Sequence, residues 1–210
     1  MTLSIISEQT GPVSSRIPPH EMGPDEPIMD LSHVAGPSIT ATHTYRGAPA
    51  LDILLVPGGL GSLALDQGGN TWIQEFVKSR MDQVDYMVGI CAGVGFLAKA
   101  GVLEGKRATT SKAFWERATS FGENVNWVPS ARWVEDGKIW TSSGVAAGMD
   151  MMYALLKHLY GTEKLDPMIN NIEYAPHTDP NWDAFSVIHH VPGADPSIPL
   201  KDCVGPPGYV

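Results

Sequence analysis

The sequence predicts an α/β domain whose mostly parallel sheet is sandwiched by helices, and three observations carry that prediction. Short apolar runs alternate with segments of helical periodicity. The runs are apolar throughout instead of alternating with polar residues, as strands buried on both faces are. Two of them stop at glycine-containing turns, Pro57-Gly58-Gly59 and Cys91-Ala92-Gly93. A chain of 210 residues, 43% hydrophobic and 18% charged, has the length for one domain with a sizeable core.

In chain order, Thr2 to Ser7 (TLSIIS) reads as the first buried strand. Residues 17–37, rich in Pro and Gly, read as an irregular excursion. Leu51 to Val56 and Val84 to Ile90 read as further buried strands. Thr71 to Met81 carries Trp72, Phe76 and Val77 on one helical face, and Ala92 to Ala100 closes at Gly101, a residue suited to the position after a helix. Gly144 to Tyr160, with Met149, Met152, Leu155 and Leu159, is predicted as a long apolar helix ending at Gly161. From Pro176 to Val210 the chain turns Pro- and Asp-rich and reads as an extended arm over the surface.

Charge and cysteine content narrow the function classes. Asp and Glu outnumber Lys and Arg by 23 to 14, with no basic cluster, so neither nucleic acid nor an anionic membrane is an expected partner. The opening MTLSIISEQT has no basic segment followed by a long apolar one, and the expected location is the cytoplasm. Cys91 and Cys203 are too few and too differently placed for a disulfide framework or a zinc site, and His189-His190 is an isolated pair, so no metal is expected. Gly58 to Leu63 (GGLGSL) lacks the lysine of a nucleotide loop, and no cofactor is predicted. A small molecule is the expected partner.

Chemistry in a parallel sheet gathers at the carboxyl ends of the strands. Cys91 stands there, between the apolar run ending at Ile90 and a helix opened by Ala92-Gly93. Unpaired amides and the positive dipole end at a helix N-terminus favour the thiolate, so the position fits a nucleophile elbow. The competing reading is a small buried core residue, the commoner fate of a free cysteine. Cys203, in the Pro-rich tail, reads as a surface thiol without a role. Pro57-Gly58-Gly59 lets backbone amides approach a ligand, and Gly59 and Ala92 are the predicted oxyanion donors, with Gly58 beside them. A plain tight turn is the alternative for that motif.

The turn PGG after a strand, the strand into ICAG, the run LAKAGVLEGKRATT, and SSGVAAGMD opening a long helix together resemble the ThiJ/PfpI superfamily, with its flavodoxin-like, glutamine-amidotransferase-like fold. Within it the chain is most similar to the isocyanide (isonitrile) hydratases and their fungal-type relatives, which share a segment like IEYAP. The resemblance runs from about Leu3 to Trp182, leaving 17–37 unmatched. It implies a cysteine nucleophile at Cys91, an oxyanion site at Gly59 and Ala92, and a homodimer. The chain also starts at what looks like the family's second strand, so the first strand and the acidic residue that pairs with the cysteine have no counterpart. Ser111 stands where relatives often place a histidine.

A stand-in for the missing proton carriers must come within hydrogen-bond reach of the proton it moves. His177 and Asp179, in HTDPNWD, are the candidates, with His177 preferred; a turn with a solvent-facing histidine is their alternative. Glu173 and Tyr174 just before them read equally as structural, and Glu21, Asp25, Glu26 and Asp30 as solvated loop acids. Ser142, Ser143 and Gly144 form an expected pocket wall able to hold an anion, or a simple helix cap. Ser111 and Trp115 complete the predicted pocket, with Lys112 and Trp182 as further lining or as packing. These readings converge on a cofactor-free, cysteine-dependent lyase or hydratase acting on a small electrophilic carbon such as an isocyanide. The alternatives are a glyoxalase-like or biosynthetic tailoring enzyme using the same pocket, and a noncatalytic dimeric redox sensor in which Cys91 is oxidised.

Overall fold

The computed structural model describes residues 2–14, 36–59, 61–200 and 203. Its strands, in chain order, are β1 (Ile6–Ser7), β2 (Gly11–Ser14), β3 (Ser38–Ala41), β4 (His43–Thr44), β5 (Ile53–Val56), β6 (Tyr86–Ile90), β7 (Arg107–Ala108), β8 (Asn126–Trp127), β9 (Trp133–Asp136) and β10 (Ile139–Ser142). The helices are α1 (Gly61–Gln67), α2 (Trp72–Arg80), α3 (Val94–Lys99), α4 (Trp115–Thr119), α5 (Val145–Tyr160), α6 (Thr162–Asn171) and α7 (Phe185–Ile188).

The central sheet has the order β5-β6-β10-β9. β5 and β10 both run parallel to β6, and β9 returns antiparallel to β10 at the edge. Successive residues on a strand face opposite sides, and β6 shows this directly. Met87 joins one core with Leu54, Val56, Val94, Leu97 and Ile139, whereas Val88 joins the other with Trp140, Met151 and Leu155. A strand covered on both faces has to be apolar at every position, which is why this stretch reads as a continuous run.

Three smaller pairings flank the sheet: β1 with β4 in parallel, β2 with β3 as an antiparallel hairpin, and β7 with β8 in parallel. Only Ile6–Ser7 of the predicted first strand pairs as strand; before it, Ile5 exchanges hydrogen bonds with Thr42 at 2.8 and 2.9 Å. The predicted excursion over 17–37 falls outside the described residues except for Gly36 and Pro37, and Glu21, Asp25, Glu26 and Asp30 go with it.

α5 follows the prediction closely. It starts after Gly144 and stops at Gly161, whose φ of 75° is a backbone conformation that glycine adopts readily. Its inner face places Ala147, Met151 and Leu155 against the sheet. The C-terminal arm departs from its reading as a surface wrap, because Asp183, Ala184 and Ser186 in it are each 0% exposed. Polar groups buried that deeply must find partners, and those partners build one side of the site described next.

Candidate active site

β6 ends extended at Ile90, and the chain then turns through a single 3-10 turn, Cys91–Gly93, before α3 begins. Cys91 has φ 56°, a conformation that costs an L residue about 1–3 kcal/mol and persists only where the surroundings enforce it. Two close approaches do so. A Cβ on Gly93 would come within 2.3 Å of the Val56 carbonyl oxygen and 2.6 Å of that of Pro57. One on Gly58 would come within 2.6 Å of the Ala92 nitrogen and 2.8 Å of the Cys91 Cβ. The ends of β5 and β6 therefore meet backbone to backbone. The Thr110 hydroxyl also donates to the Cys91 carbonyl at 2.9 Å, and the Val94 amide caps the turn on the carbonyls of Cys91 and Ala92. The Cys91 side chain is half-buried, in the left-handed elbow geometry that presents a nucleophile at the end of a strand.

The walls come from neighbouring strand ends. Ser142 pairs in register with Ile90, which brings Ser142, Ser143 and Gly144 to the same edge as Cys91. The Thr109 amide donates to the Thr141 hydroxyl at 3.0 Å, holding Thr109 to Ser111 alongside. The Ser142 hydroxyl is buried without a hydrogen-bond partner, whereas that of Ser143 donates to Asp183 at 2.6 Å. Gly59, on the exposed side of the elbow, accepts from the Ser62 amide and hydroxyl at 3.1 and 2.8 Å, so Gly58 and not Gly59 makes the close contact with Cys91. Trp115 is buried and meets Trp127 edge to face at 6.0 Å.

The DJ-1/PfpI family profile matches residues 20–158 of this sequence. The chain belongs to the DJ-1/PfpI family. It is 32% identical over 150 residues to an isonitrile hydratase of Pseudomonas putida, covering 71% of this chain and 63% of that protein. It is 26% identical over 121 residues to the protein dj-1beta of Drosophila melanogaster, covering 58% of this chain and 63% of that one. The chain thus spans 63% of the length of each of these curated relatives. A ThiJ/PfpI family protein from Pseudomonas syringae shares the fold with a TM-score of 0.64 and 26% identity, over 87% of this chain and 66% of its own.

One buried ion pair, Lys112–Asp183, ties the arm of this DJ-1/PfpI domain to the loop after β7, and a second, Arg132–Asp150, lies where the arm's His177 amide meets α5. Lys112 is not a pocket-lining side chain: its ammonium donates to the Thr109 hydroxyl at 2.6 Å and the Ala131 carbonyl at 2.9 Å and pairs with Asp183 at 3.5 Å. Burial pushes its pKa down to about 8, against the opposing pull of the Asp183 carboxylate. Arg132 pairs with Asp150 of α5 through Nε at 2.6 Å and its terminal nitrogen at 2.5 Å. Asp150 also accepts from the Tyr174 hydroxyl and, at 2.9 Å, from the His177 amide. Burial, reinforced by the Asp150 carboxylate, pushes the Tyr174 phenol up.

His177 stacks on Trp182 with ring centroids 4.5 Å apart, and the Arg132 guanidinium lies over that indole at 5.6 Å. Its Nδ1 is buried without a hydrogen-bond partner, and among the described residues no hydrogen bond links it to Cys91. Asp179 is exposed and accepts from the Asn181 amide at 2.9 Å, the turn that was its alternative reading. Sequence reasoning passed over Asp183, Asp150 and Arg132. The signal available for them was a charged residue inside an otherwise apolar or hydroxyl-bearing stretch, as in NWDAF and ARWV. Among the described residues no helix is long and apolar enough to cross a membrane.

Proposed function

We propose that the chain is a cofactor-independent hydratase that uses Cys91 to add water to a small electrophilic carbon, with an isocyanide as the substrate. The carrying observation is the left-handed Cys91 at the end of β6, pressed against Gly58 and half-open to solvent, in a chain 32% identical to an isonitrile hydratase. The Cys91 thiolate adds to the terminal carbon of the isocyanide, forming a C–S bond, and that carbon takes a proton to give a thioimidate. Water adds to the same carbon, the C–S bond breaks, and nitrogen keeps a proton. One isocyanide and one water become one N-substituted formamide, the thiolate is regenerated, and no oxidant is consumed.

Backbone amides at Ala92 and Gly59 stabilise the charged adduct in this reading. The proton step belongs to His177, whose buried Nδ1 has no protein partner to compete for the proton. The functional unit is a homodimer, supported by the exposed Val145 and Met149 on α5, the exposed Met168 on α6 and the exposed Ile172 just after it. A stable monomer in sedimentation at micromolar concentration contradicts that assembly.

The test of the reaction is turnover of an aryl isocyanide followed by formamide appearance, run beside an α-oxoaldehyde and beside peroxide titration of Cys91. Formamide production at the cost of one water supports the reading. Turnover of the oxoaldehyde alone, or oxidation of Cys91 with neither substrate consumed, replaces it with the glyoxalase-like or the redox alternative.

A further inference from the structure

Asp183 is 0% exposed and lies in the arm, far along the chain from the elbow, yet one of its oxygens holds both walls that flank Cys91. Oδ2 accepts from the Ser143 hydroxyl at 2.6 Å and pairs with Lys112 at 3.5 Å; Oδ1 accepts from the Phe185 amide at 3.1 Å. Lys112 in turn fixes Thr109 and the Ala131 carbonyl. Thr109 is tied to Thr141 of β10, and the next residue, Thr110, supplies the hydroxyl bond to the Cys91 carbonyl. A continuous path of one ion pair, two hydrogen bonds and one peptide link therefore leads from Asp183 through Lys112, Thr109 and Thr110 to the peptide of the strained cysteine.

Packing alone gives no reason for this arrangement, because apolar side chains of similar volume fill such a space with less desolvation cost. Directional bonds do what apolar contacts cannot: they set the orientation of the loop that carries Thr110. We propose that Asp183 is a positioning residue for Cys91: by holding Lys112 and Ser143 on one carboxylate oxygen, it fixes the Thr110 hydroxyl on the Cys91 carbonyl and keeps the elbow in the conformation that presents the sulfur. The inference rests on Cys91 being the reacting group and not on which electrophile it meets. Asp183 acts through Thr110 and touches no reacting atom.

The test is a double-mutant cycle read at the sulfur. The rate of Cys91 alkylation by iodoacetamide, resolved from Cys203 by peptide mass spectrometry, is measured on folded protein for the wild type, Thr110→Val, Asp183→Asn and the double variant. Each single variant slows alkylation about fivefold, and the double variant is no slower than the worse single, because both remove the same link. A double variant slowed about 25-fold, the product of two independent effects, overturns the proposal. So does an Asp183→Asn protein that melts earlier but alkylates at the wild-type rate, the signature of a purely structural role. If Asp183→Asn does not fold, Ser143→Ala replaces it in the same cycle, since it removes one bond to the carboxylate without stranding a buried charge; coupling to Thr110→Val is again expected, and simple additivity again overturns the claim. A protein that alkylates as described but hydrates no isocyanide refutes the proposed reaction and leaves this positioning role standing.

Discussion

Around Cys91 the chain is fixed by the absence of side chains, and along the arm by buried charge. At the elbow, Gly58 and Gly93 let the ends of β5 and β6 touch, so the geometry tolerates no added carbon. Beneath the arm, the Lys112–Asp183 and Arg132–Asp150 pairs hold residues that are distant in sequence, with exposures of 2%, 0%, 7% and 4% for the four side chains. The first device is steric and insensitive to pH. The second depends on both partners being present, since a buried ion left alone is costly, and it responds to pH because Lys112 titrates.

The sharpest way to break the steric device is Gly93→Ala. Its new Cβ would lie 2.3 Å from one backbone carbonyl oxygen and 2.6 Å from another, neither able to swing aside. A loss of more than about 4 kcal/mol is expected, seen as failure to reach a cooperative urea transition. The electrostatic device breaks one step more gently. Asp150→Ala leaves Arg132 buried without its carboxylate and should cost about 3 kcal/mol in chemical denaturation, whereas replacing Arg132 by Met and Asp150 by Leu together should recover only part of it, because the Tyr174 hydroxyl and the His177 amide still lose their acceptor.

A pH series separates the two devices without changing their shape. Lys112 titrates near 8 in the folded protein, against 10.5 as its ordinary value. Between those values the unfolded chain binds more protons, so the contribution of Lys112 to stability rises with pH from about 8 to 10.5; below that window the buried ammonium is a constant cost. Unfolding free energies of the wild type and Lys112→Met, compared across pH 8 to 10.5, should therefore diverge in favour of the wild type. The smallest effect on stability is expected from His177→Asn, which removes the stack on Trp182 and costs about 1 kcal/mol. Its turnover, in contrast, should fall severely while Cys91 alkylation stays nearly unchanged, and unaltered turnover removes His177 from the proton step.

The same contrast governs what the sequence reveals. The elbow is local: an apolar strand, Cys91, then Ala92-Gly93 within a few residues, with Pro57-Gly58 as its neighbour, so spacing alone places the cysteine at a strand end. Its detail is less legible, since only the packed backbone shows that Gly58 and not Gly59 contacts Cys91. The arm is nonlocal. Lys112 meets Asp183 and Tyr174 meets Asp150 across intervals that carry no periodicity, so Lys112 reads as pocket lining or packing, and nothing singles out Asp183 in a Pro- and Asp-rich tail. Burial gave these charges their partners, and burial of a polar side chain is what hydrophobic patterning leaves unmarked.

The central claim, that Cys91 is the nucleophile, is tested most directly by Cys91→Ser with turnover and melting temperature measured on the same preparation. The hydroxyl is nearly the size of the thiol but a far weaker nucleophile without a base, so isocyanide turnover should fall by about 1000-fold or more with the melting temperature essentially unchanged. A Cys91→Ser protein that hydrates the substrate at the wild-type rate would contradict it.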